Sequence, residues 1–300
     1  MSELLRGLVG QVTGQSEGAV RLALRPALAH QSNRLYDVWA GGLRLIAKEY
    51  LKADEFEDAP RREFGALELL APLDIAPRPV FCQLSPTSAL GPVVIYEWMD
   101  GEMWNRRRPT AANLFELATL WLQTHEVPVD GMWMSRWRPL PEILASFSAC
   151  LQVYGDWVEF NFPRGNRIVE LCLDLLDGCG AVAEELDDYD PSLCFCRSDP
   201  RFANVIARPD GRLGLVDWED CGLRDPALDL ADLLTGPNQE DLLLPDEWQA
   251  FLQPYLAARS VSDPHLARRT HLYAFLFPMF WLSLFLQQGA QLAESGQLVG

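Results

Sequence analysis

The apolar positions of the chain change their spacing along its length. Residues 3–12 follow a helix-like pattern that gives way to a polar, glycine-containing lead-in up to residue 19. From residue 20 to 51 the pattern becomes short apolar segments, at 20–24, 35–40 and 43–51, separated by the loop 29–33 and by Gly41-Gly42. This predicts three antiparallel strands, the last two joined by a tight hairpin, because glycine accepts the positive φ that a two-residue turn imposes. A helix is expected over 60–71, broken by Pro77-Arg78-Pro79, and a fourth strand over 80–84. The run from Val93 to Met99 reads as a buried strand leading into a linker that ends at Gly101.

From residue 102 onward apolar residues recur three and four apart. Leu114, Leu117, Ala118, Trp121 and Leu122 predict a helix over 110–126, with His125 at its end as a core or capping histidine. Further helices are expected over 141–154, 167–186, 246–258 and 265–293. The loop left at 155–166, with Trp157 and Phe160, is expected to border a substrate site. Asp225-Pro226 reads as an N-cap followed by proline in the first turn, a helix start that makes Asp225 structural. Asp229, one turn on, either supports a neighbouring loop or serves the helix dipole. The uncharged stretch 272–286 is interrupted by Pro278 and shorter than the roughly 20 residues of a membrane span, so a buried core helix is expected.

Three hundred residues can bury a sizeable core. The change of pattern divides them into a strand-rich unit over 1–99 and a helical unit over 100–300. A formal net charge of −17 argues against a nucleic-acid or anionic-membrane partner and permits a cationic one. The seven cysteines are an odd number, and Cys194-x-Cys196 lacks both the C-x-x-C spacing and a sequence-adjacent histidine of a zinc site. They read as reduced core residues of a cytoplasmic protein. Glu3 and the lack of a long apolar run make the N-terminus unlike a secretory signal.

The candidate chemistry is concentrated at 194–219. Asp199 can accept a proton from an attacking hydroxyl, and Asn204 and Asp217 supply the hard oxygen donors that Mg²⁺ requires. A hairpin turning at Pro209-Asp210-Gly211 brings those two together. Far upstream, Lys48 shares a strand face with Ile46 and Tyr50, and Glu63 falls inside the apolar stripe of the helix over 60–71. A carboxylate on an apolar face is costly unless paired, so a Lys48–Glu63 ion pair accounts for both.

Arg197-Ser198-Asp199, Asn204, Val216-Asp217-Trp218-Glu219 and Arg224-Asp225-Pro226-Ala227-Leu228-Asp229-Leu230-Ala231 resemble the signature segments of the aminoglycoside phosphotransferase and choline kinase family of small-molecule kinases. The departure is Arg197, where the family has histidine. The resemblance implies an α+β, protein kinase-like two-lobe fold. Its small lobe is an antiparallel sheet plus one helix, and its large lobe is mainly helical. It implies γ-phosphoryl transfer from ATP to a small-molecule hydroxyl, with Asp199 as base, Asn204 and Asp217 on Mg²⁺, Lys48 on the α/β-phosphates and Glu63 steadying Lys48. It further implies adenine contacts from the backbone of Glu97 and Met99, and phosphate contacts from the amides of Ser32 and Asn33. Arg201 is either a positive charge near the γ-phosphate or a solvent-facing loop arginine.

Beside the base, the Arg197 cation is expected to lower the pKa of Asp199. It also keeps a second reading open, a catalytically silent kinase-like protein that binds nucleotide or ligand. A protein kinase is disfavoured, since no peptide platform fits between Asp217 and Asp225. Trp104, Trp121, Trp133, Trp137 and Trp157 would suit a quaternary or polyamine cation, although aromatics at helical spacing are commonly core.

Overall fold

The computed structural model describes residues 2–26, 33–51, 58–87, 89–104, 109–128, 140–237 and 243–294. After helix α1 (Ser2–Thr13), strands β1 (Val20–Leu24), β2 (Asn33–Ala40), β3 (Leu43–Tyr50), β4 (Pro79–Gln83) and β5 (Val93–Glu97) form an antiparallel sheet in the order β1-β2-β3-β5-β4. β2 and β3 turn at Gly41 and Gly42, with φ of 57° and 88°, as the two-glycine turn predicts. β2 starts at Asn33, ahead of the expected residue 35, because Asn33 and Arg34 continue the ladder opposite Tyr50 and Glu49. β4 opens with Pro79 on the sheet edge, where a missing N–H costs no central ladder bond.

Period-two alternation sorts the sheet's side chains between two cores. Leu45, Ala47, Val93 and Ile95 face Leu5 and Val9 of α1. Ile46, Tyr50, Val94 and Tyr96 face Ala66, Leu67 and Leu70 of helix α2 (Ala59–Leu70). This second core continues into the rest of the chain through Leu117, Trp121, Phe195, Leu215 and Trp218. Lys48 lies between Ile46 and Tyr50 on the same face, so it points toward the junction of the sheet with the helical part.

That part begins with the two-residue strand β6 (Glu102–Met103) and helix α3 (Ala111–His125), capped by Thr110 in a reciprocal box with Asn113. Helices α4 (Leu140–Asn161) and α5 (Gly165–Asp187) pack with α8 (Leu266–Glu294) around Phe147, Cys172, Cys179, Leu276 and Met279. Between them in sequence lie β7 (Cys194–Cys196), β8 (Val205–Ala207), β9 (Leu213–Leu215), β10 (Gly222–Arg224), α6 (Pro226–Thr235) and α7 (Pro245–Arg259). β8 and β9 form the expected hairpin, β6 joins it, and β10 pairs with β7.

Two expectations are corrected. No long loop spans 155–166: α4 runs through Gly155 to Asn161, since burial of Val158 and the Trp157–Phe162 ring contact stabilise helix where glycine alone would weaken it. Phe160 consequently projects into solvent, 89% exposed. In addition, α8 passes unbroken through Pro278 and is only half buried: Leu272, Leu276 and Met279 turn inward while Phe275 and Phe285 stay exposed. By length and composition its Leu266–Gly289 stretch would suffice to cross a membrane, and its inward face is covered by α4, α5 and α6.

Candidate active site

Lys48 is the centre of the cleft. Its ammonium lies 2.9 Å from Glu63, 2.6 Å from Asp217 and 3.1 Å from Glu219, with both Lys48 and Glu63 almost fully buried. The Tyr50 hydroxyl donates to Glu63, and the Asn33 side-chain amide donates to Glu219 at 3.3 Å. Burial works against the charge of Lys48, but Asp217, Glu219 and Glu63 together outweigh it and hold its pKa well above the usual lysine value. Burial likewise opposes ionisation of Asp217, yet Lys48 prevails and keeps that carboxyl below its usual range. The Glu219 carboxyl is pushed up to about 7 by burial, against the pull of Lys48 and with the push of Asp217 and Glu63. Glu63, Asp217 and Glu219 each bring one oxygen within 4.8 Å of the others. Three carboxylates around one ammonium leave surplus negative charge on hard oxygen donors, which fits Mg²⁺.

The loop carrying Asp199 follows β7 and is held from three sides. Ser198 adopts a left-handed conformation, φ 65°, and its N–H donates to Asp229 Oδ1 at 2.8 Å. The other oxygen of Asp229 lies 3.2 Å from His125 Nε2, and His125 Nδ1 meets the Tyr255 hydroxyl at 2.6 Å. His125 is thus a buried core histidine, as read from sequence, and Asp229 supports the loop. Asp225 is structural as expected: it caps α6 through the Ala227 N–H and accepts two bonds from Arg269.

Arg197 is buried beneath the same loop. One guanidinium nitrogen donates to the carbonyls of Val216, at 2.8 Å, and Asp217, at 3.1 Å, and the group lies 4.7 Å from the Trp218 ring. Asp217 is itself left-handed, φ 66°. Arg197 therefore ties the loop of Asp199 to the loop of Asp217. The expected lowering of Asp199 does not result. Burial pushes its carboxyl above the usual range, with Asp217 adding to the push; Arg201 and Arg197 pull the other way without reversing it. Both carbonyl bonds use the same guanidinium nitrogen, and Nε and Nη1 are buried with no hydrogen-bond partner among the described residues. Arg201 Nε donates to Asp199 at 2.7 Å.

Asn204 ends the 3₁₀ turn Phe202–Asn204, and its carbonyl accepts the Val216 N–H at 3.0 Å. The β8–β9 hairpin therefore sets Asn204 beside the residue preceding Asp217, though the two are distant in sequence. Glu97 ends β5 with its N–H donated to the Arg78 carbonyl, and the linker continues through Met99. The Met99 sulfur lies where a Cβ on Gly214 would come within 2.2 Å, so the absent side chain at 214 lets Met99 lie against β9. Ser32, Trp133 and Trp137 lie outside the described residues. Trp104 and Trp121 are buried core residues, edge-on to Phe202 and Phe251.

Sequence reading left Glu219 and Tyr50 out of the site, although both sit in motif or strand positions already singled out. It also missed Asp232. This carboxyl is buried on α6, and its Oδ2 has no hydrogen-bond partner among the described residues. It lines a small pocket with Asp199, Arg201, Pro237 and Trp281. Burial holds Asp232 well above the usual carboxylate range, Arg224 pulling it down and Asp199 adding to the rise. The signal was an aspartate three residues after Asp229 within the apolar run Leu-Ala-Asp-Leu-Leu.

A small sheet-and-helix lobe over a helical lobe, with a lysine–glutamate pair above and an Asp/Asn/Asp set below, defines the class of kinase-like small-molecule phosphotransferases. The sequence profile of the phosphotransferase enzyme family matches residues 23–272, and the chain belongs to that family. No curated protein sequence matches the chain. Among solved structures, a choline/ethanolamine kinase family protein from Mesorhizobium loti is similar at 18% identity and TM-score 0.64, over 100% of this chain and 89% of that one. The choline kinase LicA from Streptococcus pneumoniae gives the same identity and TM-score, over 100% and 93%. A spectinomycin phosphotransferase, in complex with ADP and spectinomycin, is similar at 14% identity and TM-score 0.58, over 89% and 93%. These likenesses are likenesses of fold.

Proposed function

We propose that the protein transfers the γ-phosphoryl group of ATP to the hydroxyl of a small, positively charged molecule such as an amino alcohol or an aminoglycoside. In this reading residues 1–99 hold the nucleotide, and residues 100–300 supply the catalytic loop and the acceptor site. Asp199 orients the acceptor hydroxyl and takes its proton. A raised pKa favours that role, since a base closer to neutrality accepts a proton more readily in the transition state. Lys48 neutralises phosphate charge, and Glu63 fixes the position of Lys48. The linker at Glu97 and Met99 receives adenine, and Asn33 stands near the phosphates. Asp217 and Asn204 would hold Mg²⁺, which supplies neutralisation of the phosphate oxygens. Arg201 holds Asp199 and would bring positive charge near the γ-phosphate.

The observation carrying the reading is that Asp199 and Asp232, whose buried Oδ2 has no hydrogen-bond partner among the described residues, line one small pocket with Trp281. A buried carboxylate oxygen without a hydrogen bond is costly, and an ammonium group donating to it would relieve that cost. A small acceptor also suits the short path from Asp217 to Asp225, which is taken up by β10 pairing with β7 and leaves no platform for a peptide. The bound ligands of similar structures, ADP with spectinomycin and ADP with hygromycin B, are in keeping with this class of reaction.

The test is phosphoryl transfer from Mg²⁺-ATP to a panel of amino alcohols, aminoglycosides and neutral sugars, with Asp199→Asn alongside. Turnover of a cationic acceptor, reduced at least about 10²-fold in Asp199→Asn, is expected. Nucleotide binding without turnover of any acceptor would instead favour a silent binding protein, and turnover confined to neutral sugars would remove the cationic acceptor.

A further inference from the structure

Cys194 and Cys196 alternate along β7 and so project to the same side. Their sulfurs lie 3.6 Å apart, both buried. The histidine that sequence spacing did not place near them is supplied by the end of α3: one ligand atom each of His125, Cys194 and Cys196 lie within 4.8 Å of one another. None of the three side chains is used in the phosphotransfer chemistry above, although His125 touches Asp229.

We propose that His125, Cys194 and Cys196 form a binding site for a soft divalent cation of the zinc class beneath the catalytic loop. The sulfur separation is the first argument. Two thiolates about 2.3 Å from one tetrahedral zinc stand about 3.8 Å apart, close to the separation found before any metal enters. Charge is the second. A divalent ion with two thiolates and a neutral imidazole is electrically neutral, which makes its burial affordable, and two thiol protons leave as it binds. Orientation is the third. Metal-bound histidines commonly present their second nitrogen to a carboxylate or another acceptor, and both Asp229 and Tyr255 already contact this ring; one of those contacts gives way to the metal. Occupied, the site would tie the end of α3 to β7 directly before Arg197.

The experiment uses the full chain, reduced, stripped of metal by a chelator and equilibrated overnight with Co²⁺. One equivalent should produce an intense near-ultraviolet sulfur-to-cobalt band, displaced by one equivalent of Zn²⁺. The band should fall at least ten-fold in Cys194→Ser and in Cys196→Ser and persist in Cys172→Ser, whose thiol belongs to the separate α4–α5–α8 core. Oxygen and nitrogen donors at the phosphotransfer site give no such band, so the result is independent of the proposed activity. A missing band in the wild type, or one undiminished in both β7 variants, overturns the proposal. If the serine variants do not fold, zinc X-ray absorption of the wild-type protein decides. Two sulfur neighbours at about 2.3 Å support the site, and a shell of nitrogen and oxygen alone overturns it.

Discussion

Lys48 and Asp217 stand in direct contact, 2.6 Å between ammonium and carboxylate, closer than the 2.9 Å from Lys48 to Glu63. The lysine thereby bridges the sheet of the first lobe to the loop after β9 in the second. Lys48→Met should lower kcat/KM by about 10²- to 10³-fold, the range for losing one preorganised charge donor. It should also destabilise the protein by about 3–5 kcal/mol, because Glu63 is left buried without its ion-pair partner and keeps only the Tyr50 hydroxyl. Urea unfolding of Lys48→Met beside Lys48→Met/Glu63→Gln checks this; the double variant should recover part of the loss.

Arg197 joins two left-handed residues, Ser198 and Asp217, through carbonyls on the second loop. Arg197→Ala should lower kcat about ten-fold or more, in line with about 1.5–3 kcal/mol for a hydrogen bond to a charged group. Millimolar guanidinium ion should restore part of the rate, since the planar fork can re-enter against the carbonyls and the Trp218 face, whereas methylammonium should not. Steady-state kinetics with each added cation gives the answer.

Asp232→Asn removes the ionisable carboxyl but keeps the shape of the pocket that it lines with Asp199. The KM for a cationic acceptor should rise at least ten-fold, about 1.4 kcal/mol, with the KM for ATP unchanged. Equal rises in both constants would mean that Asp232 maintains the fold of the cleft and does not meet the acceptor.

The Arg269 guanidinium clamps the start of α8 to Asp263 and to Asp225, at 2.7–3.0 Å. Hydrogen bonds from Arg269 hold the Asp263 carboxyl below its usual range, against a smaller effect of burial. A carboxyl depressed in the folded state stabilises fully above its unfolded pKa, about 3.9, and loses that contribution as pH falls through the folded value. Asp263→Asn should therefore cost about 1–3 kcal/mol at pH 7 and little near pH 2, giving a flatter acid limb in thermal melts recorded against pH.

How far the sequence disclosed this arrangement depends on whether a feature was local. The Gly41-Gly42 turn and the Asp225-Pro226 helix start are short-range chemistry, and each element lies where its own residues specify. The Lys48–Glu63 pair was legible because a charge on an apolar face implies a partner. Helix α4 was misjudged at Gly155, where tertiary packing of Trp157 and Val158 overrides local propensity. Glu219 and Asp232 were hidden for a related reason, since their importance comes from neighbours brought in by folding: Lys48 for one, Asp199 and Trp281 for the other. Arg197 was visible only as a substitution, and its carbonyl partners on the second loop required the three-dimensional structure.

Helix α6 carries Asp229, which holds the Ser198 amide, and Asp232, which lines the pocket beside Asp199, about 4.5 Å further along the helix axis. One rigid element thus fixes both the loop of the base and the carboxylate offered to the acceptor, so the gap between them does not adapt to the molecule that enters. On the proposed reading the enzyme gauges its substrate. Homologous amino alcohols of the same charge, differing only in the number of carbons between nitrogen and hydroxyl, would be turned over at a single preferred length.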